Sequence, residues 1–543
     1  MVCIHRLSVI ALTLCLLAGN VPGAGTVPAQ AQGTLFVNAA STCSVQCGGS
    51  WPKAYPKLQD AIAAARSGDQ IWVAKGVYYP DEGAGLTNND PTLSFTLKNG
   101  VRIYGGFGGG ENSLNQRNPT TNVTILSGDI DKNDANTDGN FIAETPHDIV
   151  GQNTYYVVSS NQTQQITVLD GFVITAGQGG GMFNDHSSPQ LANLTFSGNS
   201  ATDGGGMLNI ESHPTLTNVT FRNNSASADG VGGGMANDNS NPTLTNVTFS
   251  GNSAAWGGGM YDSNSTSTLT NVTFSGNSAT EGGGGMANDN STSTLTDVTF
   301  SGNRATEGGG MFNDSSTPTL TDVTFSGNRA TEGGGMFNDN STPTLTNVTF
   351  SGNSATEGGG MFNSHSNLIL SNVTISGNSA TEGGGGMFNY KSNPTLTNVT
   401  FSGNRAAEGG GMFSEASSSL SLINVLIANS VSGGDCRNVS GAVIASGSSH
   451  NLIEGTGANA CELVHNVNGN IIGRDPKLGP LQNNGGHTLT HALLSGSPAI
   501  NAGTNSGCPA TDQRGIRRPQ GGVCDIGAYE RAFNRAYLPL VIR

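Results

Sequence analysis

The first residues that could do chemistry form a possible calcium loop. Asp134, Asn136 and Asp138 occupy alternate positions and a glycine follows, which fits the start of a calcium-binding loop, D-x-[DN]-x-[DN]-G. The loop departs from the full pattern, because Thr145 stands where a carboxylate is expected and Glu144 comes one place early. Two interpretations stay open: a calcium site in a protein that requires no cofactor, and a plain polar insertion.

Two sets of carboxylates recur through the middle of the chain. One set precedes a run of glycines: Glu281, Glu307, Glu332, Glu357, Glu382 and Glu408. The other follows a recurring methionine: Asp185, Asp238, Asp262, Asp289, Asp314 and Asp339. Enzymes that cut polysaccharides need an acid, a base and often a cation with different roles. Because each carboxylate here only repeats its neighbours, we interpret the sets as acidic ladders that calcium or a polycation would stabilise.

A catalytic site would have to break this periodicity. The less regular stretch 36–176 is where one could lie, and its candidates are Lys75, Lys98, Arg102, Arg117, Asp129, Asp131 and His147. No spacing selects among them, so no catalytic residue is predicted.

The cysteines indicate disulfides near the ends of the chain. Outside the leader they are Cys43, Cys47, Cys436, Cys461, Cys508 and Cys524. Cys436 and Cys461 lie 25 residues apart, one repeat length, so stacked coils would bring them to about 4.8 Å, within the range that a disulfide accepts. By elimination, Cys43 is expected to pair with Cys47 and Cys508 with Cys524. The alternative is that Cys436 and Cys461 lie in an irregular Ser/Gly-rich insertion.

The carboxylates and cysteines described above are positioned by a repeat. A methionine at the same place in each unit identifies it. The methionines recur every 25 to 28 residues at 182, 207, 235, 260, 286, 311, 336, 361, 387 and 412. A period in this range predicts a solenoid. A leucine-rich repeat is the rival, since Leu320, Val323, Phe325 and Asn328 fit its pattern. The return through 329–332 into glycines has no helical period, which favours a parallel β-helix instead.

Strand alternation assigns the faces of each coil. Val323 and Phe325 should point inward with Met311, while Asp322, Thr324 and the residue after each methionine, such as Phe312, should face solvent. A column of asparagines ends the turns and is expected to adopt left-handed φ/ψ and to hydrogen-bond from coil to coil. Its members are Asn199, Asn224, Asn252, Asn277, Asn303, Asn328, Asn353, Asn378 and Asn404.

The ends of the chain suggest export. Residues 1–31 have the charge, the apolar run and the small residues of a signal peptide. We divide the remainder into an N-terminal cap with irregular coils at 32–176, regular repeats at 177–430, irregular C-terminal coils at 431–530 and a tail at 531–543. A net charge of −15 argues against nucleic acid or anionic membrane as a partner. No transmembrane segment is predicted in the mature chain, which is expected to be a monomer.

Three segments resemble known families. The GGGM-F-N and F-S-G-N elements resemble polymorphic outer-membrane protein repeats of adhesins. The entry segment, with 58–62 (LQDAI) and 68–73 (GDQIWV), resembles the start of pectate-lyase-like β-helices, in which a short helix caps the first coil. The segments 475–481 (DPKLGPL), 496–503 (GSPAINAG), 512–515 (DQRG) and 525–530 (DIGAYE) resemble the choice-of-anchor Q region of bacterial surface proteins, although no familiar anchoring motif follows.

The fold class expected from pattern and resemblance is all-β: a right-handed, single-stranded parallel β-helix with coils of about 25 residues and a short N-terminal capping helix. The expected function is that of a secreted or cell-surface, adhesin-like or envelope-associated protein that binds a polysaccharide or another surface ligand without catalysis. A polysaccharide lyase or glycoside hydrolase is the first alternative, and a structural spacer is the second.

Overall fold

A computed structural model describes residues 33–532 and shows stacked parallel strands almost throughout. The leader, with Cys3 and Cys15, and most of the predicted tail therefore lie outside the described residues. One α-helix, Leu58–Ala64, follows the first strand and buries Leu58, Ala61 and Ile62 against the first coil, as a capping helix would. Short 3-10 turns lie at Trp51–Lys53, Leu114–Gln116, Pro146–Asp148 and Gly457–Asn459. The predicted parallel β-helix with a capping helix is confirmed.

One face of the solenoid, here called the methionine sheet, has thirteen strands within the described residues. Within the regular repeats each methionine pairs with the methionine of the next coil, as Met311 does with Met336. The strands are Phe95–Leu97, Val158–Asn161, Met182–Asp185, Met207–Ile210, Met235–Asp238, Met260–Ser263, Met286–Asp289, Met311–Asp314, Met336–Asp339, Met361–Ser364, Met387–Tyr390, Met412–Glu415 and Cys436–Asn438.

The other main face, here called the long sheet, has 25 strands in the part of the chain that the structure describes, because most coils bend in its middle. The residue at the bend has a positive φ, for example 57° at Asp322. The strands are Thr34–Val37, Gln70–Ala74, Gly76–Tyr78, Arg102–Phe107, Thr124–Ser127, Val168–Asp170, Val173–Thr175, Gln190–Ala192, Thr195–Ser197, Thr215–Arg222, Thr243–Ser250, Thr268–Ser275, Thr294–Thr296, Thr299–Ser301, Thr319–Thr321, Thr324–Ser326, Thr344–Thr346, Thr349–Ser351, Ile369–Ser376, Thr395–Ser402, Ser419–Ile423, Leu426–Ala428, Val443–Ile444, Leu452–Ile453 and Ile471–Ile472.

Short return strands close some coils, and a hairpin follows the last coil. The return strands are Ser200–Ala201, Ser225–Ala226, Ser253–Trp256, Ser278–Gly282, Ser354–Ala355 and Ser379–Ala380, and the antiparallel hairpin joins Leu478–Gln482 to Thr490–Leu493. Residues 473–532, here called the C-terminal segment, then fold back over the long sheet. Gln513 accepts a hydrogen bond from Thr374 Oγ1 at 2.6 Å, and Ala528 N donates to Thr400 Oγ1 at 2.9 Å.

The core is a set of stacked apolar columns. Met311, Val323 and Phe325 are fully buried and Thr324 is partly exposed, which confirms the predicted facing of these four residues. The inner phenylalanines from Phe196 to Phe350 stack with ring centroids 4.6–4.9 Å apart. Each coil therefore buries its apolar surface mainly against the two coils beside it.

Phe312 departs from its expected exposure. Its side chain lies outside the core as predicted, but only 8% of the residue is exposed. The reason is the same stacking: the ring centroid of Phe312 lies 5.5 Å from that of Phe337, and Trp256 packs edge-to-face with Phe312 at a centroid distance of 4.9 Å. The residue after the methionine thus forms a second, outer aromatic column.

The predicted asparagine column hydrogen-bonds from coil to coil. Asn328 Nδ2 donates to Asn353 Oδ1 and to the Phe300 carbonyl, both at 3.0 Å, so the buried amide is satisfied on both sides. The predicted backbone of this column was wrong, because the left-handed φ belongs to the preceding glycine, such as Gly327 at 62°. Glycine adopts this φ without strain and leaves the asparagine free to point inward.

A second column of buried amides lies two residues after the methionines on the same strands, and it contains one acid. Its rungs include Asn313 Nδ2 to Asn338 Oδ1 at 2.9 Å. At one coil Asp262 replaces the asparagine and accepts from Asn237 Nδ2 and Ser293 Oγ, both at 2.8 Å. Complete burial raises the pKa of Asp262 to about 6.

Among residues 33–532, three disulfides join the predicted partners, Cys43 with Cys47, Cys436 with Cys461, and Cys508 with Cys524. The predicted stacked register is off by one residue, since Cys436 pairs along the sheet with Ala460. The Cα atoms of Cys436 and Cys461 are 5.0 Å apart, so the bridge still links adjacent coils at the end of the methionine sheet.

Phe325→Ala should lower the free energy of unfolding by ~3–5 kcal/mol, because the neighbouring coils hold Phe300 and Phe350 in place and a cavity remains. Denaturant unfolding measures the loss. Thr324→Ala on the same strand is the control and should cost less than about 0.5 kcal/mol. A loss well below the range at Phe325 would mean that the column collapses into the gap.

Asp262→Asn should raise the melting temperature at pH 8 and have little effect near pH 4. The pKa of Asp262 is higher when folded, about 6, than its ordinary 3.8, so its contribution to stability is complete at low pH and is lost as pH rises through 6. The gain at pH 8 is on the order of 3 kcal/mol. Asn288→Asp, the reverse change one coil on, should create a similar pH dependence. Equal melting curves of wild type and Asp262→Asn at pH 8 would contradict the buried charge.

Candidate functional site

The outer side of the methionine sheet carries an aromatic column. Outward residues on five successive coils stack with centroids 4.8–5.5 Å apart: Phe312, Phe337, Phe362, Phe388 and Phe413. Trp256, Tyr261 and Tyr390 are less covered and pack against this column. Little of the stacked rings reaches the surface, since only 3–8% of each phenylalanine is exposed.

Carboxylates line the same side of the sheet in two rows. The Glu row comprises Glu281, Glu307, Glu332 and Glu357, and the Asp row comprises Asp289, Asp314 and Asp339; together we call them the acidic face. Glu307, Glu332 and Glu357 occupy equivalent places on adjacent coils, and so do the three Asp residues. Like charges at strand spacing repel one another.

This repulsion contributes to a raised pKa of Glu307. Partial burial is the largest cause that raises it to about 7, and Glu332, Asp339, Glu281 and Asp314 add to the rise. Members of both rows therefore lie close enough to act on one carboxylate. Burial raises the pKa of Glu332 and Asp314 in the same direction.

Basic side chains do not neutralise the middle of this face. Within residues 33–532, no lysine or arginine forms an ion pair with any member of the two rows. The nearest such pair is at the C-terminal end, where Arg437 Nε lies 3.6 Å from Glu408. His365 lies 3.9 Å from Asp339. The acidic face thus presents net negative charge along several coils.

The predicted calcium residues lie in a surface loop, where their oxygens hold the loop itself. Asp134 accepts from Val150 N at 2.6 Å and from Asn153 Nδ2 at 2.8 Å. Asn136 Oδ1 accepts from Phe141 N at 3.2 Å, and Asp138 accepts from Asn140 N at 3.1 Å. The calcium assignment therefore stays a prediction.

The geometry of this loop differs from a single ring of ligands. The Asn140 amide donates to Asp138 at 2.7 Å and to Glu144 at 2.9 Å, which is where a shared cation would otherwise join them. Asp134 instead lies near Asp129 and Asp131, and burial followed by those two charges raises its pKa to about 6. Asp134 and Asn136 line a cavity of about 230 Å³ together with Tyr79, Lys132 and Phe141.

Of the basic candidates in the stretch 36–176, two support the fold. Arg117 pairs with Asp170 at 2.5 Å, and Lys98 donates to the Ala63 carbonyl at 2.7 Å. Asp129 and Asp131 belong to the loop around Asp134. None of these groups forms a mixed acid and base cluster with the others.

Sequence reasoning missed a cluster on the long sheet. Asp297 and Asp322 follow one another on adjacent coils, and His487 of the C-terminal segment lies beside them, with Nδ1 2.5 Å from Asp297 Oδ1. One ligand atom from each of the three lies within 4.8 Å of the others. The available signal was the two aspartates at a bend position that is asparagine on the neighbouring coils.

A match to a family model supports the fold. The family model of the right handed beta helix region matches residues 207–369 and 311–475. A crystal structure of the pectate lyase Pel9A aligns over 92% of this chain and 96% of its own, with 12% identity and a TM-score of 0.29. No curated protein sequence matches the chain. Among residues 33–532, no helix is both long and apolar enough to cross a membrane.

Calcium or a polycation should raise the melting temperature, most at low salt and above pH 7. The pKa of Glu307 is higher when folded, about 7, than its ordinary 4.5, so stability is lost as pH rises through 7, and a bound cation restores it. Glu307→Gln should recover roughly 1 kcal/mol at pH 8 after allowance for solvent screening. Scanning calorimetry with and without calcium measures both effects.

Glu462→Gln is the matched control for this experiment, because Glu462 is exposed near the C-terminal end of the chain, away from the acidic face. It should leave the calcium response unchanged. If calcium leaves the melting temperature of the wild type unchanged at low salt, the two rows do not bind the cation together.

Proposed function

We propose that this right-handed β-helix is a secreted or cell-surface protein that binds a polysaccharide, or another cell-surface ligand, along the acidic face without catalysis. The observation that carries the proposal is the uncompensated double row of carboxylates beside an aromatic column. Because three successive coils each add one Glu and one Asp to the acidic face, the face suits a ligand that also repeats along its length. A folded monomer displays the whole face.

The chemistry of the face fits a glycan in two ways. Carboxylates accept strong hydrogen bonds from hydroxyl groups, and the partly exposed rings of Trp256 and Tyr261 offer apolar contacts beside them. The net negative charge also favours amino groups, or calcium ions that bridge to an anionic polymer. Elongated contact of this kind needs no deep pocket.

The ends of the described chain support a surface location. Three disulfides are typical of proteins that fold in an oxidising compartment. The resemblances to adhesin repeats and to the choice-of-anchor Q region point the same way. Residues of the latter hold the C-terminal segment together: Arg518 and Glu530 form a fully buried ion pair, and Asp512 pairs with Arg514 at 2.6 Å.

A polysaccharide lyase or glycoside hydrolase is the second candidate. The observation in its favour is the cluster of Asp297, Asp322 and His487, which breaks the periodicity as a catalytic site must. A structural spacer is the third, since stacked rings and amide columns make a rigid rod. Only the first proposal expects a ligand to bind along the acidic face, so a binding measurement distinguishes it from the enzyme and from the spacer.

The test is a glycan array probed with the exported protein, followed by affinity measurements on the glycans that bind. Glu307→Gln combined with Glu332→Gln should weaken binding about tenfold or more, because two adjacent acceptors lose their charge. Glu454→Gln combined with Glu462→Gln removes two carboxylates elsewhere and should bind as wild type does.

The same glycans should be assayed for new reducing ends and for unsaturated products. Unchanged substrate supports a binding protein, whereas turnover would favour the enzyme. Equal affinities of the two double variants would contradict the assignment of the acidic face.

A further inference from the structure

The bends of the long sheet form an outer column of asparagines that link neighbouring coils. At most of these bends the Nδ2 of one coil donates to the side-chain oxygen of the coil before it. Asn246 donates to Asn218 at 3.1 Å, and Asn271 donates to Asn246 at 2.7 Å. A rung within the column therefore needs a side chain that accepts from one neighbour and donates to the other, as an amide does.

Asp297 and Asp322 break this column on two successive coils. A carboxylate has no donor, so Asp297 cannot donate to Asn271 and Asp322 cannot donate to Asp297. The column resumes beyond them, where Asn347 Nδ2 donates to Asp322 Oδ1 at 3.1 Å. The chain thus gives up two hydrogen bonds and places two like charges one coil apart, an arrangement that is unfavourable unless a cation lies between them.

His487 of the C-terminal segment lies beside the same two coils. Its neighbour Thr488 is buried, donates to the Asn347 carbonyl at 2.9 Å and accepts from Gln513 Nε2 at 2.9 Å. Thr349 Oγ1 donates to the Leu489 carbonyl at 2.8 Å. These contacts hold the backbone that follows His487 against the bends of the long sheet, so its imidazole is positioned beside the aspartates.

From this juxtaposition we propose that Asp297, Asp322 and His487 bind a divalent transition metal ion. Charge balance favours an ion over a simple ion pair. An imidazolium leaves the two carboxylates with one net negative charge, whereas a divalent cation with a neutral imidazole leaves none. The imidazole nitrogen selects zinc and similar ions, because calcium prefers oxygen ligands alone.

The site has room for further ligands. Three protein groups are one fewer than a structural zinc site uses. The His487 side chain is 62% exposed and that of Asp297 is 36% exposed, so water or a ligand from solution can complete the coordination. An open position is what catalytic zinc sites keep, and it makes this cluster a second place, besides the acidic face, where the protein can bind a ligand.

Zinc binding to the untagged full-length chain tests the proposal. Calorimetric titration is carried out in excess calcium, which occupies sites made of carboxylates alone. Wild type should bind one zinc ion at this site, and cobalt in its place should give an absorption band of a nitrogen-ligated ion. His487→Ala, and Asp297→Asn combined with Asp322→Asn, should each weaken zinc binding at least about tenfold.

The double variant is expected to fold, because it restores the amides that the column has on its other coils. His186→Ala is the matched control. His186 also contacts two carboxylates, Asp185 at 2.6 Å and Glu211 at 2.8 Å, but through opposite ring nitrogens that cannot share one ion. It should leave zinc affinity unchanged. Zinc affinity that survives His487→Ala, or a wild type that binds no zinc in excess calcium, would overturn the proposal.

Discussion

The structure depends on the in-register stacking of nearly identical coils. Each side chain meets its own equivalent above and below at strand spacing, so every position must tolerate a copy of itself. Phenylalanine and methionine do so by packing, and asparagine does so because its amide is both donor and acceptor. The Asn328 side chain accepts from Asn303 and donates to Asn353 and to the Phe300 carbonyl, which shows how buried polar columns hold the coils together without charge.

This constraint explains which features the sequence could predict. The column of methionines and the alternation around Phe325 determine the faces, because the strand period is visible within one coil and the repeat period across successive coils. The pairing of Cys436 with Cys461 followed from the same period. The burial of Phe312 was less accessible, since it depends on Trp256 and Phe337, whose rings cover it from other coils. In the asparagine column the residue before each asparagine, almost always glycine, has the left-handed φ. Residue types alone do not show which of these two residues adopts it.

The candidate sites show a similar division. The acidic face is periodic and was therefore visible as two ladders. The loop at Asp134 fits a motif, but motif spacing does not determine whether oxygens converge, and here Asn140 joins two of them. His487 lies 165 residues from Asp322, and only the fold of the C-terminal segment brings them together. The break in the asparagine column was present in the sequence, yet its meaning required the residue that faces it.

Carboxylates are the residues that in-register stacking tolerates least, and the chain contains them in three distinct settings. Asp262 is buried singly within an amide column, and the cost is a pKa raised to about 6. The acidic face repeats its carboxylates outward, where repulsion adds to burial in raising the pKa of Glu307 to about 7. Asp297 and Asp322 form a pair that faces an imidazole. A column that served stability alone would hold asparagine at all these places, as neighbouring coils do at two of them. Because the exposed acids replace a residue that stacks better, only something outside the column can offset the energy that they cost. On the surface of a solenoid that can only be solvent, an ion or a ligand, and repeated charge without a basic partner favours the last two.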